Sequence, residues 1–186
     1  MSHSNTALLV IDAQESFRHA PYFEESALPA YLSVQQKLID GAQAAGIPIV
    51  QIFHVDDDWA FTEDSGLIRA LEGLSIEPTV TFRKNRHSAF VGTDLDAWLT
   101  SRGIERLIIS GIRTEQCCET TTRHGSDLGY AVDYATEATL TFAMTHVSGK
   151  VFSPQDIAMG TELVLSGRFA DIVTVDEALK RTKTAG

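Results

Sequence analysis

Two adjacent cysteines, Cys117 and Cys118, follow a strand-like apolar run at residues 107–109 and a short turn at residues 111–114. The residues after them have the spacing of a helix, so the Cys117 thiol is predicted to lie at a helix N-terminus, on the loop that leaves a β-strand. Unpaired backbone N–H groups and the helix dipole favour negative charge there, and a thiol so placed ionises more easily. The same N–H groups can hold an oxyanion. The pattern therefore predicts an enzymatic nucleophile at Cys117.

Two charged residues come at the ends of other predicted strands: Asp12 after residues 7–11, and Lys84 shortly after residues 79–82. Since sites in open parallel sheets form beyond the carboxyl ends of the strands, we expect both side chains near Cys117. Lys84 would favour the thiolate and hold Asp12, which can take the thiol proton and return it to a leaving amine. Together the three groups predict acyl transfer, in which the thiolate attacks a carbonyl carbon and water hydrolyses the acyl-enzyme. Backbone N–H groups at Cys117 and at residues 112–114 would stabilise the oxyanion, each contributing roughly 3 kcal/mol when well aimed.

The elements that must position these residues are short apolar runs rich in valine and isoleucine, alternating with helical patterns. Helix ends are marked by Gly46, Gly103 and Gly129, and one helix start is marked by Ser153 followed by proline. The alternation predicts a single domain over residues 1–186 of α/β class. We expect a three-layer αβα sandwich with a mostly parallel, roughly six-stranded Rossmann-like sheet. The predicted strands are residues 7–11, 47–53, 79–82, 107–110, 131–134 and 172–175, and the predicted helices are residues 28–45, 93–101, 115–128 and 154–165.

The composition argues against several classes of protein. With 186 residues, of which 44% are hydrophobic and 22% are charged, the chain has the composition of an ordinary globular protein. A formal net charge of −10 argues against a nucleic-acid-binding surface, and no apolar run approaches the roughly 20 residues that cross a bilayer. The N-terminal residues lack the pattern of an export signal, and two adjacent cysteines do not make a disulfide framework. We expect a cytoplasmic protein that acts on a small-molecule substrate, with no nucleic-acid or membrane partner.

Three blocks of residues, in order along the chain, resemble the isochorismatase-like cysteine hydrolases, a family that includes nicotinamidases and N-carbamoylsarcosine amidase. The resemblance extends from residue 7 to about residue 176. It implies a catalytic triad of Asp12, Lys84 and Cys117, and the family's spacing makes Cys118 the small apolar residue after the nucleophile. The blocks are residues 7–14 with Phe17; Arg83 and Lys84 with residues 88–90 and 92–95; and residues 110–118 with Thr121, Arg123, Gly129, Tyr130, Glu137 and Ala138.

The resemblance also implies features that the residues alone do not predict. One is a non-proline cis peptide between Ile112 and Arg113, which would turn the Arg113 N–H toward the oxyanion. Another is assembly into a homo-oligomer, a dimer or a tetramer, for which the loop at residues 139–152 is a candidate contact.

Nicotinamidases of this family carry a metal after the second strand, where their pattern has Asp, then His two residues later, and another His further along. Here His54 is followed by Asp56, Asp57 and Asp58, and the next histidine, His87, lies beyond Lys84. We interpret this segment as a solvated acidic loop, and expect no metal and no cofactor. The departure also counts against nicotinamide as the substrate.

The substrate pocket is expected to be mostly apolar with a few polar groups. Arg113 is the most suggestive residue, because a guanidinium can clamp a substrate carboxylate, although its side chain could instead point to solvent. Core packing is the alternative for Phe53 and Phe90, and an exposed loop is the alternative for His146. The candidate substrate-binding residues are Gln14, Phe17, Phe53, His54, Phe90, Arg113 and His146.

Three functions are compatible with these residues. The first is a cysteine hydrolase that cleaves a C–N bond of a small amide, carbamoyl or ureido compound through a thioester. The second is an isochorismatase-type vinyl-ether hydrolase, which would use Asp12 as a general acid and needs no thiolate. The third is a non-catalytic binding protein on the same fold. The presence of Cys117 favours the first.

Overall fold

The computed structural model describes residues 5–181, and its centre is a six-stranded, fully parallel sheet with strand order β3-β2-β1-β4-β5-β8. Two very short antiparallel strands, β6 and β7, form a separate hairpin. The strands are β1 (Thr6–Ile11), β2 (Ile49–His54), β3 (Val80–Lys84), β4 (Arg106–Ile112), β5 (Ala131–Leu140), β6 (Met144–Thr145), β7 (Val151–Phe152) and β8 (Asp171–Ile172).

Helices cover both faces of the sheet and divide its core in two. One core lies under α1 and α5 and takes Leu8 and Val10 from β1, whereas the other lies under α2, α3 and α4 and takes Leu9 and Ile11. This alternation is what a strand buried on both faces requires. No helix of residues 5–181 is both long and apolar enough to span a bilayer. The helices are α1 (Leu28–Ala44), α2 (Leu95–Ser101), α3 (Glu119–Asp127), α4 (Pro154–Leu165) and α5 (Val175–Arg181).

The predicted fold class is confirmed, whereas several elements end elsewhere than predicted and the β6–β7 hairpin and α5 were not predicted. Strand β5 continues to Leu140, beyond the predicted end at Tyr134, because its second half carries threonines and a glutamate that hide the apolar pattern. The last strand is shorter than predicted and ends at Ile172. The chain turns there because Thr174 and Glu177 form a reciprocal cap, with each side chain accepting from the other residue's backbone N–H, which starts α5.

Gly111 allows the two central strands to approach at the edge where the candidate nucleophile lies. It adopts φ +125°, and a Cβ built there would overlap the carbonyl oxygen of Ile11 in β1. We therefore expect Gly111→Ala to lower the free energy of unfolding by about 3 kcal/mol or more, as measured by urea denaturation. Gly103→Ala is the matched control: Gly103 also has a positive φ, +64°, but open space around it, so its cost should be about 1 kcal/mol. Equal losses in the two variants would contradict the close approach.

Candidate active site

The carboxyl edge of the sheet gathers the reactive side chains that the sequence placed there. Asp12 directly follows β1, His54 and Lys84 are the last residues of β2 and β3, and Cys117 lies in a π-helical turn, Thr114–Cys118, between β4 and α3. Asp12 is fully buried, and Lys84 and Cys117 are almost fully buried. The sheet topology thus brings a carboxylate, an ammonium and a thiol from distant parts of the sequence into contact.

Lys84 lies at the centre of this cluster and uses its whole donor capacity. Its Nζ is 2.7 Å from Asp12 Oδ2, 3.2 Å from His54 Nδ1 and 3.4 Å from Cys117 Sγ. An ammonium has three N–H donors, so each of these neighbours can accept one. Burial is the largest single effect and lowers the pKa of Lys84, but the charge of Asp12 and the hydrogen bonds to Asp12 and Cys117 act against it, and the pKa is raised overall. Lys84 therefore stays cationic.

Asp12 is held by its neighbours in a way that leaves one oxygen for chemistry. Its backbone has φ 51°, and its N–H donates to the Ile52 carbonyl. Oδ2 accepts from Lys84, whereas Oδ1 is buried without a hydrogen-bond partner among the described residues. Carboxylate, imidazole and thiol atoms of Asp12, His54 and Cys117 lie within 4.8 Å of one another. A carboxylate oxygen of Asp12 thus lies within 4.8 Å of the thiol sulfur, and Oδ1 is the oxygen that no other described residue occupies.

The Cys117 thiol differs from the expectation set by its place in the sequence. Burial, together with the negative charge of Asp12, raises the pKa of the thiol, and the opposing effect of Lys84 is smaller. A helix N-terminus would lower it, but Cys117 lies within a π-helical turn that precedes α3, in a nearly solvent-free site. The resting nucleophile is therefore a neutral thiol, and its proton must leave as it attacks.

The donor atoms grouped around Lys84 do not suit a metal ion. The atoms of Asp12, His54 and Cys117 are close enough together to coordinate a cation. However, the Lys84 ammonium already bonds all three, so a divalent ion would meet a positive charge at contact distance. The donor set does not fit a metal, and the expected lack of a metal stays a prediction.

The turn that carries Cys117 is fixed by polar contacts with β5 and the residues after it. The Thr114 carbonyl accepts from the Tyr134 hydroxyl at 2.7 Å, and the Thr114 and Thr139 hydroxyls are 2.7 Å apart. Thr141 donates to the Glu115 carboxylate. The peptide between Ile112 and Arg113, at the start of this turn, is cis. These contacts fix the backbone on both sides of the nucleophile.

His54 joins the buried cluster to the protein surface. Gln14 clamps its backbone, accepting from the His54 N–H at 2.7 Å and donating to its carbonyl at 2.9 Å. Because Nδ1 accepts from Lys84, the ring must carry its proton on Nε2, which lies 3.6 Å from Asp56 Oδ2. Burial, and then the Lys84 charge, lower the pKa of His54 below its usual value near 6.5. The imidazole is neutral and acts as the third acceptor for the ammonium.

Since the folded pKa of His54 is depressed, the unfolded chain binds the extra proton first as pH falls. The stability associated with the neutral ring is therefore complete above pH 6.5 and is lost on acidification toward the lower, folded pKa. We expect His54→Asn, which keeps an acceptor but cannot be protonated, to remove this part of the pH dependence of unfolding. His54→Phe should leave one buried ammonium proton unpaired and cost about 1–3 kcal/mol.

The measurement that tests the His54 arrangement directly is nitrogen NMR of histidine-labelled protein at pH 7.5. The Nε2–H tautomer of His54 is the expected species. A ring protonated on Nδ1 would show that Lys84 is not its donor.

A small cleft of about 200 Å³ opens above Cys117. Its walls combine three aromatic rings with two imidazoles and two carboxylates. A larger cavity, about 830 Å³, lies at the opposite, amino edge of the sheet, but no cysteine, histidine or lysine is among the residues that line it. The smaller space is therefore the one that meets the Asp12, Lys84 and Cys117 cluster, through Cys117. The residues lining this cleft are Phe17, Tyr22, His54, Asp56, Asp58, Phe61, His87, Gln116 and Cys117.

Of the predicted substrate-binding residues, Phe17 and His54 line the cleft and the others lie elsewhere. Gln14 is buried and bonds the His54 backbone. Phe53 is buried on the strand face opposite to His54, because side chains alternate along a strand. Phe90 packs in the core, with its ring 5.3 Å from His124 and 5.9 Å from Tyr130.

Two further predicted residues are engaged away from the cleft. His146 is exposed in the β6–β7 turn, where Nδ1 lies 2.9 Å from the Ser148 hydroxyl. Arg113 is buried, with Nη2 2.9 Å from Glu115 Oε1 and its guanidinium 4.8 Å from the centre of the Tyr22 ring. Its side chain is neither exposed to solvent nor among the residues that line the cleft, and Glu115 neutralises its charge.

Three residues that line the cleft, Tyr22, Phe61 and Gln116, are not among the predicted substrate-binding residues. Tyr22 and Phe61 lie in long loops without periodicity, where nothing in the sequence indicates the direction of a side chain. Gln116 is next to the nucleophile, and this adjacency was the available signal. Asp56, Asp58 and His87 also line the cleft, although the sequence suggests them only as possible metal ligands.

Comparison with known proteins adds independent findings. The model of the isochorismatase domain matches residues 6–153. Nicotinamidase 3 of Arabidopsis thaliana is 32% identical in an alignment of 152 residues that covers 73% of this chain and 73% of its own. YrdC of Bacillus subtilis, an uncharacterised isochorismatase family protein, is 24% identical over 93% of this chain and 94% of its own.

Solved structures share the fold over nearly the whole chain. A Burkholderia xenovorans protein assigned as an isochorismatase superposes with a TM-score of 0.87 and 27% identity, covering 98% of this chain and 89% of the other. A cysteine hydrolase from Pseudomonas syringae superposes with a TM-score of 0.86 at 23% identity, over 100% and 96% of the two chains. The second likeness shows the fold alone.

Proposed function

The chain belongs to the isochorismatase family of hydrolases, and from this premise we propose that it is a cysteine hydrolase that cleaves the C–N bond of a small amide, carbamoyl or ureido compound. One observation carries the proposal: a single ammonium, Lys84 Nζ, contacts both Asp12 Oδ2 at 2.7 Å and Cys117 Sγ at 3.4 Å at the floor of a cleft. Nucleophile, base and orienting cation in mutual contact are what acyl transfer requires. The proposal treats residues 1–186 as one hydrolase domain.

The first half of the reaction forms a thioester. Asp12 Oδ1 takes the thiol proton as Cys117 Sγ attacks the carbonyl carbon, and the carbonyl oxygen becomes an oxyanion. Lys84 stays charged throughout, which stabilises the ionised sulfur and fixes the Asp12 carboxylate. The tetrahedral adduct collapses by breaking the C–N bond, and Asp12 returns the proton to the leaving nitrogen. The products of this half are an amine or ammonia and an acyl group on Cys117.

The second half uses the same groups in reverse. Asp12 accepts a proton from water, whose oxygen attacks the thioester carbonyl, and the C–S bond then breaks. Asp12 returns the proton to the sulfur, so the free acid leaves and the neutral thiol is restored. The backbone N–H groups of Arg113 and Cys117 are the proposed oxyanion donors.

The size of the cleft limits the substrate. Its volume of about 200 Å³ is below the range of typical drug-sized sites. A relative named nicotinamidase supports an amide substrate. The lack of the family's Asp-x-His metal pattern around His54 argues against nicotinamide itself.

A screen of small amides, carbamoyl compounds and ureides, read by ammonia release, tests the proposal. Release that is lost when Cys117 is alkylated would support it. Cleavage of an isochorismate-like vinyl ether, without ammonia release from any amide, would contradict it and favour the second function.

Two further properties belong to this proposal. We propose a homo-oligomer, a dimer or tetramer, because the hairpin exposes apolar side chains at Met144, Val147 and Val151, and α4, which contacts β7, exposes Met159 and Leu163. Light scattering would measure the assembly, and a monomer at micromolar concentration would contradict it.

A cytoplasmic location is supported by the two free cysteines, since a reducing compartment keeps a thiol nucleophile active.

A further inference from the structure

The charged groups around the cleft suggest which amides it accepts, a question that rests on the proposed function. Among the nine residues that line the cleft, two are carboxylates, Asp56 and Asp58, and none is a lysine or an arginine. The Asp56 side chain is 62% exposed; among residues 5–181 it pairs with neutral His54 at 3.6 Å and accepts from the Asp57 N–H. The nucleophile defines the site, and these carboxylates set the charge of its entrance.

The cations nearest to the cleft are already committed. The three N–H groups of Lys84 donate to Asp12, His54 and Cys117, and its side chain is fully buried. Arg113 is paired with Glu115, and its guanidinium packs 4.8 Å from the centre of the Tyr22 ring, which itself lines the cleft. Although Arg113 Nε has no partner, the side chain is only 9% exposed and does not line the cleft.

One exposed cation acts on the rim from outside. The charge of Arg86 lowers the pKa of Asp56, after the larger effects of the Asp57 N–H and of His54. Its guanidinium, however, donates to the Asn85 carbonyl at 2.8 Å and is not part of the lining. A substrate carboxylate in the cleft would therefore find no unpaired Lys or Arg among the described lining residues.

The aromatic part of the cleft favours a cation over a carboxylate. Phe17, Tyr22 and Phe61 present ring surfaces, and the face of an aromatic ring attracts cations. The pKa of Tyr22 is raised by burial, so its phenol stays neutral at physiological pH. Rings and carboxylates together form the surroundings in which an ammonium or guanidinium group is held.

We infer that the cleft selects small amides that carry a positive charge over matched amides that carry a carboxylate, with neutral amides between them. Asp58 and Asp56 are the residues that set this preference. A carboxylated substrate would lose hydration and meet two negative charges at the entrance. A cationic substrate would exchange its hydration for the carboxylates and the rings.

Charged thiol reagents test the inference without any need for turnover. Cys117 would be modified with three methanethiosulfonates that carry an ammonium, no charge or a sulfonate, at pH 7.5 and low salt. Each rate is divided by that of a small free thiol with the same reagent. The ammonium reagent is expected to react about tenfold or more faster than the sulfonate on this normalised scale, and the ratio should shrink in high salt. Cys118 is fully buried, and Cys117→Ala supplies the background.

Neutralising single carboxylates separates the cleft from the overall charge of the protein. Asp58→Asn and Asp56→Asn should each reduce the ammonium-to-sulfonate ratio several-fold. Asp57→Asn is the matched control. Asp57 lies between the two in the sequence and carries the same charge, but it does not line the cleft, so its replacement should leave the ratio nearly unchanged. A sulfonate reagent that reacts as fast as the ammonium reagent, or equal effects of all three variants, would overturn the inference. Failure of the amide screen would instead affect the proposed function, because labelling does not depend on hydrolysis.

Discussion

Cys117→Ala will abolish amide hydrolysis, by a factor on the order of 10⁴ or more in kcat, while the protein remains folded. Cys117 is the proposed nucleophile of the acyl-enzyme, and loss of a nucleophile typically has effects of this size. The neighbouring cysteine provides the control. Cys118 is fully buried in the core under α2, α3 and α4, so Cys118→Ala should lower the free energy of unfolding by about 1–2 kcal/mol and leave kcat within a few-fold.

Ammonia release by the two variants, measured with their unfolding curves, checks this prediction. Activity that survives in Cys117→Ala but not in Cys118→Ala would show that Cys118, and not Cys117, is the nucleophile. Vinyl-ether cleavage that persists in Cys117→Ala would show that the chemistry needs only an acid such as Asp12.

Asp12→Asn should change hydrolysis and thiol reactivity in opposite directions. Hydrolysis is expected to fall by about 10³-fold, because asparagine cannot accept or return the proton. The thiol should nevertheless become more reactive toward iodoacetamide at pH 7.5. The Asp12 charge raises the pKa of Cys117, so its removal lowers that pKa and increases the thiolate fraction at fixed pH, with Lys84 as the counter-ion.

The pH dependence of the alkylation rate measures this effect, with its midpoint shifted to lower pH in the variant. Asp133→Asn is the control, since Asp133 is a fully buried carboxylate that pairs with Arg106 at 2.8 Å and Arg181 at 2.7 Å, away from the cleft. It should lose stability but keep both hydrolysis and the wild-type alkylation profile. If Asp12→Asn slowed hydrolysis and alkylation together, Asp12 would be a structural support rather than a base.

The sheet and the position of the cluster could be predicted because strong, local patterns determine them. The apolar runs that became β1 and β4 are buried on both faces, and topology alone then places Asp12, Lys84 and Cys117 at one edge. Ser153 followed by proline also predicted a helix start correctly, and the capping box between Ser153 and Asp156 starts α4 at the predicted residue. The same signal, Thr174 followed by Glu177, was present before α5 but was hidden by the apolar residues beside it.

The direction of the thiol pKa could not be predicted, because it depends on burial and not on position along the chain. A helix N-terminus and a neighbouring ammonium both favour a thiolate, yet desolvation of Cys117 and the charge of Asp12 outweigh them. Likewise, nothing in the sequence pairs Arg113 with Glu115, so a residue that resembled a carboxylate clamp proved to be neutralised. Loop residues such as Tyr22 and Phe61 reach the cleft through tertiary packing that has no periodic signature.

The most direct test of the account is to locate the acyl group during turnover. A reaction with a substrate found in the amide screen would be quenched in acid within milliseconds, digested and examined by mass spectrometry, with fragmentation to separate Cys117 from Cys118. The account predicts a thioester on Cys117 that forms and decays at the rate of turnover. An acyl group on another residue, or full activity in protein whose Cys117 has been completely alkylated, would contradict it.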